Sequence, residues 1–179
     1  MQGILGQPKA TAILQSALAS DRTHHAWIFH GSEGVGKFTT ATAFAKMLLC
    51  HSPQVDLAGN REPCNGCESC NLINQPDAAH PDLHVVQKEL AAQSSIATVR
   101  SRKLLSIPVD LIREFVIGGE TSDGKFHDSA ASKSPSLRHG KVFIIDEAHL
   151  LAAVGQNALL KTLEEPPPNT YFILVTHQL

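Results

Sequence analysis

A glycine-rich turn that ends in a lysine is the stretch of this chain best suited to chemistry. It runs Gly31-Ser32-Glu33-Gly34-Val35-Gly36-Lys37, between an apolar run at 26–29 and a helical pattern at 38–49. Glycines let successive backbone N–H groups converge on one anion. The N-terminus of the following helix adds partial positive charge, and the lysine adds a full charge near the outer phosphates of a nucleotide. The stretch therefore predicts phosphate binding by a strand, turn and helix. The candidate nucleotide-binding residues are Gly31, Gly34, Val35, Gly36, Lys37, Phe38 and Thr39.

The alternative interpretation is a tight turn that uses glycine for its backbone conformation, which accounts for Gly34 and Gly36 but not for Lys37. One position departs from the phosphate-binding pattern. The residue after the Gly-Lys pair is normally Ser or Thr, whose hydroxyl holds Mg²⁺, and here it is Phe38. Thr39 lies about 100° further around the helix, so we do not expect it to replace that ligand. The pattern favours nucleotide binding with weak or absent hydrolysis.

Polar residues follow two apolar runs in the second half of the chain. Asp146 and Glu147 come directly after the run at 141–145, and Thr176 follows the run at 171–175. In phosphate-loop proteins an Asp at such a strand end helps to hold Mg²⁺, and the Glu polarises the attacking water. We therefore predict that Asp146 and Glu147 are catalytic residues, or vestiges of them, and that Thr176 senses the terminal phosphate. The alternatives are an aspartate that caps the next helix and an ordinary strand-end threonine.

Four cysteines are spaced C-x13-C-x2-C-x2-C, at Cys50, Cys64, Cys67 and Cys70. Four thiolates with x2 spacing are typical of a closed, tetrahedral Zn²⁺ site with a structural role. A redox Cys-x-x-Cys pair and an iron–sulfur cluster are alternatives, and His51 is a competing ligand. We predict a structural zinc module at about 50–70.

Composition excludes several classes of protein. The chain has 179 residues, 42% hydrophobic and 18% charged, with a net charge of −2, which predicts one globular domain without a strong field for nucleic acid or anionic lipid. No apolar run reaches 18 residues, and the N-terminus lacks a basic-then-apolar leader. We expect a cytoplasmic protein whose cysteines do not form disulfides. Because the chain stops directly after an apolar run, we also expect a fragment of a longer protein.

Hydrophobic periodicity and turn residues predict the elements that position these groups. A helix from Pro8 is expected to bury Ile13, Leu14, Ala17 and Leu18. Residues 52–63 are predicted to be a loop, and 118–140 an exposed loop with little to bury. Ile4-Leu5-Gly6-Gln7 is a candidate for contact with an adenine ring. The remaining predictions are strands at 83–86, 141–145 and 171–175, and helices at 68–74, from Pro108 to a stop at Gly118, and at 155–165.

These motifs together resemble the subunits of the bacterial DNA polymerase III clamp loader. The resemblance rests on the glycine-rich turn, the four cysteines, Asp-Glu-Ala-His at 146–149, and the run Asn-Ala-Leu-Leu-Lys-Thr-Leu-Glu-Glu-Pro-Pro at 157–167. It covers nearly the whole chain. It implies an α/β fold of the AAA+ type, in which a parallel sheet is flanked by helices and a Cys₄ zinc module is inserted. Residues 1–179 would then be one AAA+ nucleotide-binding domain, the N-terminal part of the protein.

The resemblance also implies partners and ligands. Members of this family form a hetero-pentamer of gamma/tau and delta-type subunits, which loads a sliding clamp onto primer–template DNA. Zn²⁺ and ATP with Mg²⁺ are the implied cofactors, and no membrane partner is implied. An arginine supplied to a neighbouring subunit belongs to a motif that normally follows the strand ending at Thr176, beyond this chain.

Two members of the family fit the sequence. The delta-prime subunit is commonly a degenerate ATPase that serves as a stator, and Phe38, the segment at 80–86 and the long 118–140 insertion favour it. The gamma/tau motor subunit is the alternative, because Lys37, Asp146 and Glu147 are intact. Outside the family, Asp-Glu-Ala-His also occurs in helicases, which need further motifs. A zinc adaptor with a relic phosphate loop is the other alternative, and nucleotide binding separates it from an active site.

Overall fold

A four-stranded parallel sheet forms the centre of the molecule. The computed structural model describes residues 4, 6–20, 23–75, 79–101 and 105–178. The sheet strands are β1 (Ala26–His30), β4 (Leu83–Val86), β7 (Lys141–Ile145) and β8 (Thr170–Thr176), in the order β1-β8-β7-β4. Two antiparallel hairpins lie outside the sheet. They pair β2 (Gln54–Val55) with β3 (Arg61–Glu62), and β5 (Gly119–Glu120) with β6 (Phe126–His127). The predicted parallel sheet is confirmed.

Helices cover both faces of the sheet, as a parallel sheet requires. They are α1 (Pro8–Ala19), α2 (Lys37–Leu49), α3 (Glu68–Asn74), α4 (Ala97–Arg100), α5 (Val109–Ile112) and α6 (Ala153–Glu164). Short 3₁₀ segments occupy Lys88–Gln93 and Ala148–Leu150, and a π-helical turn at Arg113–Ile117 continues α5.

The central strand β7 is buried on both faces, which explains its continuous apolar sequence. Val142 and Ile144 pack into the core beneath α1 and α2. Phe143 and Ile145 face the opposite core, which contains residues of α5 and α6. Because successive side chains of a strand point to opposite faces, a strand with two covered faces needs apolar residues at every position.

Several predicted elements are confirmed at their bounds, and others are wrong. The strands at 83–86 and 141–145 and the helix at 68–74 are found where the sequence predicts them. The predicted loop at 52–63 contains the β2–β3 hairpin, whose turn is held by Asp56 through N–H bonds from Ala58 and Asn60, both 2.8 Å. Ile13 was predicted to be buried and is 61% exposed.

The insertion at 118–140 has more buried structure than the sequence predicts. Most of its side chains are exposed, but Ala131 is fully buried. The fully buried carboxylate of Asp82 accepts hydrogen bonds from the N–H groups of Ser136 and Leu137, each 2.7 Å. Lys141 holds the same segment from the sheet, since its Nζ donates to the carbonyl of Ala130 at 2.7 Å. The prediction that this segment has little to bury was wrong.

Replacing Asp82 with alanine tests this anchoring. The substitution leaves two N–H groups without their acceptor and removes the carboxylate that offsets the buried charge of Lys141. We expect the free energy of unfolding to fall by about 2–4 kcal/mol in urea denaturation. Asp128→Ala is the control, because that carboxylate is 78% exposed and forms a surface ion pair. It should change stability by less than about 0.5 kcal/mol, and an equal loss in both variants would contradict the account.

Within the described residues, no helix combines the length and apolar character needed to cross a bilayer.

Candidate nucleotide site and metal centre

The phosphate loop joins the end of β1 to the start of α2. Gly34 and Gly36 have φ angles of 77° and 86°, a left-handed conformation that favours glycine. Gly36 is the N-cap of α2, and its carbonyl accepts the Thr40 N–H at 2.9 Å. The Nζ of Lys37 donates to the carbonyls of Gly31 at 2.9 Å and Ser32 at 2.7 Å, so the ammonium group lies over the loop. The local geometry is that of a loop which presents backbone N–H groups and a cation to an anion.

A cavity of about 370 Å³ lies between this loop and the ends of the central strands. Asp146 and Glu147 follow β7, and Thr176 ends β8. Because parallel strands end at the same edge of the sheet, these residues reach the same cavity. The structure thus brings the predicted acidic pair and the predicted sensor threonine to the phosphate loop, while their catalytic roles stay a prediction. The lining residues are Glu33, Gly34, Gly36, Lys37, Phe38, Thr39, Asp146, Glu147, His149, Val175, Thr176 and His177.

The first turn of α2 supplies an aromatic ring to this cavity. Phe38 lines the cavity and is 38% exposed. The hydroxyl of Thr40 is committed to the carbonyl of Gly36 at 2.9 Å, and the residue is buried. Thr39 also lines the cavity. The position after Lys37 therefore offers no oxygen ligand for a cation.

The acidic pair is held by contacts that the sequence did not reveal. The Glu147 N–H donates to Asp146 Oδ1 at 2.9 Å, and Glu147 has a left-handed backbone with φ 50°. Lys88, which follows β4, contacts Glu147 Oε1 at 2.8 Å. The hydrogen bond to Glu147 raises the pKa of Lys88. This partner lies 59 residues before Glu147, and only the adjacency of β4 and β7 brings it to the site.

The Lys88–Glu147 pair is partly exposed, so we expect Lys88→Met to leave stability almost unchanged. Urea denaturation of the variant beside wild type measures this. A loss of stability as large as that of Asp82→Ala would show that the pair is a structural element instead of a surface contact.

An apolar pocket of about 210 Å³ lies beside the loop, between α1 and β1. Ile13 lines it, which explains why this residue is exposed despite its helical spacing with buried neighbours. Gln7 also lines the pocket, and its Nε2 lies 3.5 Å from the Val35 carbonyl. Of the segment at 4–7 that was a candidate for adenine contact, Leu5 lies outside the described residues. Because Lys37 lines both spaces, the pocket adjoins the phosphate loop.

The four cysteines form a compact cluster behind α2. Cys50 is the C-cap of α2, Cys67 is the N-cap of α3, and Cys70 lies in the first turn of α3. Their sulfurs and that of Cys64 all lie within 4.8 Å of one another. Sulfurs bound at 2.3 Å to one tetrahedral zinc ion are about 3.8 Å apart, so the cluster can close around a metal ion with small movements.

The surroundings of the sulfurs fit thiolate ligands. The N–H groups of Cys64, Cys67 and Cys70 donate to the sulfurs of Cys50, Cys64 and Cys67, at 3.3, 3.3 and 3.4 Å. Backbone N–H groups, with that of Gly66 foremost, lower the pKa of Cys64 to about 6, whereas burial raises the pKa of Cys50 and Cys70. His51 stacks on His139 with ring centroids 4.1 Å apart, and the described residues place it outside the cluster. Four close cysteines can therefore bind a metal ion without it.

Side-chain bridges tie the cysteine module to the domain. Gln15 of α1 pairs with the backbone of Arg61 in both directions, at 2.9 and 2.8 Å. Lys46 of α2 donates to the side-chain oxygens of Asn65 and Asn74. The module is thus fixed against both helices that border the phosphate loop.

The phosphate loop, the acidic strand end and the cysteine cluster behind α2 define a P-loop type α/β domain with an inserted module whose four cysteines can bind a metal ion. A family model described as "DNA polymerase III, delta subunit" matches residues 6–179. The chain belongs to this family, and the predicted resemblance to clamp-loader subunits is confirmed.

Curated relatives include two kinds of subunit. The chain is 35% identical over 175 residues to DNA polymerase III subunit tau of Bacillus subtilis (strain 168), covering 98% of this chain and 25% of that protein. It is 33% identical over 172 residues to subunit delta' of the same organism, covering 96% and 42%. Subunit gamma of Buchnera aphidicola subsp. Acyrthosiphon pisum is 31% identical over 173 residues, covering 97% and 38%. The chain spans from one quarter to about two fifths of these relatives' lengths.

Among solved structures, a gamma subunit-related protein of Thermotoga maritima aligns with a TM-score of 0.48 and 15% identity, covering 93% of this chain and 39% of that chain.

Proposed function

We propose that this protein is a subunit of the DNA polymerase III clamp loader and helps to load the sliding clamp onto primed DNA. The observation that carries the proposal is the family match over residues 6–179, which includes the phosphate loop, the cysteine cluster and the acidic strand end. Relatives named tau, gamma and delta' match nearly the whole chain.

We further propose that it acts as the delta-prime type of subunit, a stator that does not turn over ATP efficiently. Identities of 35% to a tau subunit and 33% to a delta' subunit do not separate the two types. Phe38 favours the stator, because an aromatic ring stands where a motor needs a hydroxyl ligand for Mg²⁺. The motor subunit is the second candidate, favoured by the presence of Lys37 together with Asp146 and Glu147 at the same cavity.

The proposed ligands are ATP in the loop cavity and one structural Zn²⁺ on the four cysteines. Four thiolates leave no open position on zinc, which supports a structural instead of a catalytic metal. The role of the module would be to hold the segment between α2 and β4 in one conformation. Metal analysis distinguishes zinc from an iron–sulfur cluster.

The proposed partners are gamma/tau-type and delta-type subunits, with the sliding clamp and primer–template DNA engaged through the complex. A net charge of −2 supports indirect engagement of DNA, because contacts from basic residues to phosphates supply most DNA affinity. Because a bacterial clamp loader acts on chromosomal DNA, we propose that the protein is cytoplasmic.

Reconstitution tests this proposal. The full-length protein is mixed with gamma/tau-type and delta-type subunits of its own organism, and the complex is isolated by size exclusion. We expect co-elution and clamp loading. With Lys37→Ala in this subunit, ATP turnover by the complex should be retained, because the motor subunits supply it. Failure to co-elute would overturn the clamp-loader proposal, and loss of turnover in proportion to one motor site would favour the gamma/tau alternative.

A further inference from the structure

Two histidines line the candidate nucleotide cavity side by side, and the proposed function assigns no role to either of them. His149 lies in the short segment Ala148–Leu150 after β7, and His177 directly follows β8. Their ring centroids are 3.9 Å apart with an interplanar angle of 63°. Both rings line the cavity that also contains Lys37 and Thr176. The pair therefore stands where the ends of two central strands meet the phosphate loop.

His149 carries a polar atom without a partner. Its Nδ1 is buried and has no hydrogen-bond partner among the described residues. Buried polar atoms are nearly always paired. Because this atom has almost no accessible surface, the ring must turn before Nδ1 can reach a ligand in the cavity that His149 lines. His177 is exposed, and its Nε2 is in hydrogen-bond contact with Gln178 Nε2 at 3.3 Å. Gln178 is exposed too, so this contact can be exchanged for one with a ligand in the cavity.

Both positive and negative groups surround His149. Burial first, and then the neighbouring His177, lower the pKa of His149, whereas Glu147 and Glu33 oppose this shift and Lys88 adds to it. Lys37 and Asp146 line the same cavity. Negative charge added to the cavity would act in the same direction as Glu147 and Glu33, against the lowering of the His149 pKa.

We propose that His149 and His177 contact phosphate oxygens of a nucleotide bound in this cavity, and that the pair takes up a proton as the nucleotide binds. The inference rests on the proposed nucleotide site. Two imidazoles supply N–H donors in this cavity, where Phe38 stands in place of the residue whose hydroxyl usually binds Mg²⁺. A triphosphate less neutralised by Mg²⁺ retains more negative charge, and a nearby negative charge favours the protonated imidazole. The protonated pair thus supplies charge that a bound cation supplies in an ATPase with a complete metal site.

Calorimetric titration of the full-length protein with ATP, without Mg²⁺, measures both parts of the inference. Titrations at pH 6.5 and 8.0, in two buffers of different ionisation enthalpy, give the affinity and the protons taken up. We expect the affinity to be severalfold higher at pH 6.5 than at pH 8.0. The upper limit is about thirtyfold, since uptake of one proton changes the affinity by at most tenfold per pH unit. The double variant His149→Gln and His177→Gln should lose most of this pH dependence. Protonation of ATP itself is the same for every variant and cancels in the comparison.

His24→Gln is the matched control, because His24 is exposed and lies outside the cavity. The ATP affinity and the proton uptake of this variant should equal those of wild type at both pH values. If circular dichroism shows that the double variant is unfolded, the single variant His177→Gln at the exposed position replaces it, with partial loss of the pH dependence expected. If a folded variant with the histidines replaced takes up as many protons as wild type, the inference is overturned and the proposed nucleotide site stands. If wild type binds ATP neither at pH 6.5 nor at pH 8.0, the inference and the proposed nucleotide site are both overturned.

Discussion

Replacing Cys70 with serine should abolish metal binding and unfold the cysteine module. Cys70 is fully buried, and its sulfur lies within 4.8 Å of the other three cysteine sulfurs. A serine hydroxyl is a poor zinc ligand, and three thiolates left around a vacated position repel one another. Because binding energy in a structural zinc site is folding energy, we expect a loss of more than about 3 kcal/mol in the free energy of unfolding. Elemental analysis and urea denaturation measure the two effects.

His51→Ala is the control for this prediction. His51 neighbours Cys50 in sequence, but its ring stacks on His139 and lies outside the cysteine cluster. The variant should retain one metal ion per chain. Loss of metal in His51→Ala would make His51 a ligand, and wild-type protein purified with reductant but without metal would remove the zinc centre altogether.

The second large effect is expected for Lys37→Ala, which should weaken ATP binding by about a hundredfold. The ammonium group lies at the mouth of the phosphate loop, and charge-assisted hydrogen bonds contribute about 1.5–3 kcal/mol each. Lys46→Ala is the matched control, because Lys46 lies on the same helix and donates to Asn65 and Asn74 instead. It should bind ATP as wild type does. Equal affinities of the two variants would show that the loop does not bind phosphate.

Strong local patterns explain what the sequence predicted well. The apolar run of β7 and the spacing of the cysteines depend on neighbouring residues alone, so both were visible without a structure. The glycine-rich turn likewise needs only its own residues to adopt its backbone conformation. The meeting of Asp146 and Thr176 with the loop was predictable because parallel strands end at one edge.

Features that depend on distant residues were missed. The anchoring of Ser136 by Asp82 joins positions 54 residues apart, and Lys88 meets Glu147 across 59. Helical periodicity placed Ile13 on the same face as Leu14, but periodicity does not distinguish a core from a pocket wall. The strands β2 and β3 have two residues each, too few for an alternating pattern to be read.

ATP titration of the full-length protein, with and without Mg²⁺, tests most directly whether this chain carries a nucleotide site that has lost its metal ligand. Wild type and Phe38→Thr are compared, since the variant restores a hydroxyl at the first turn of α2. We predict that wild type binds ATP with an affinity that Mg²⁺ changes little, and that Phe38→Thr gains affinity in the presence of Mg²⁺. Wild-type binding that already depends on Mg²⁺ as strongly as that of Phe38→Thr would contradict the account, as would failure of wild type to bind ATP under either condition.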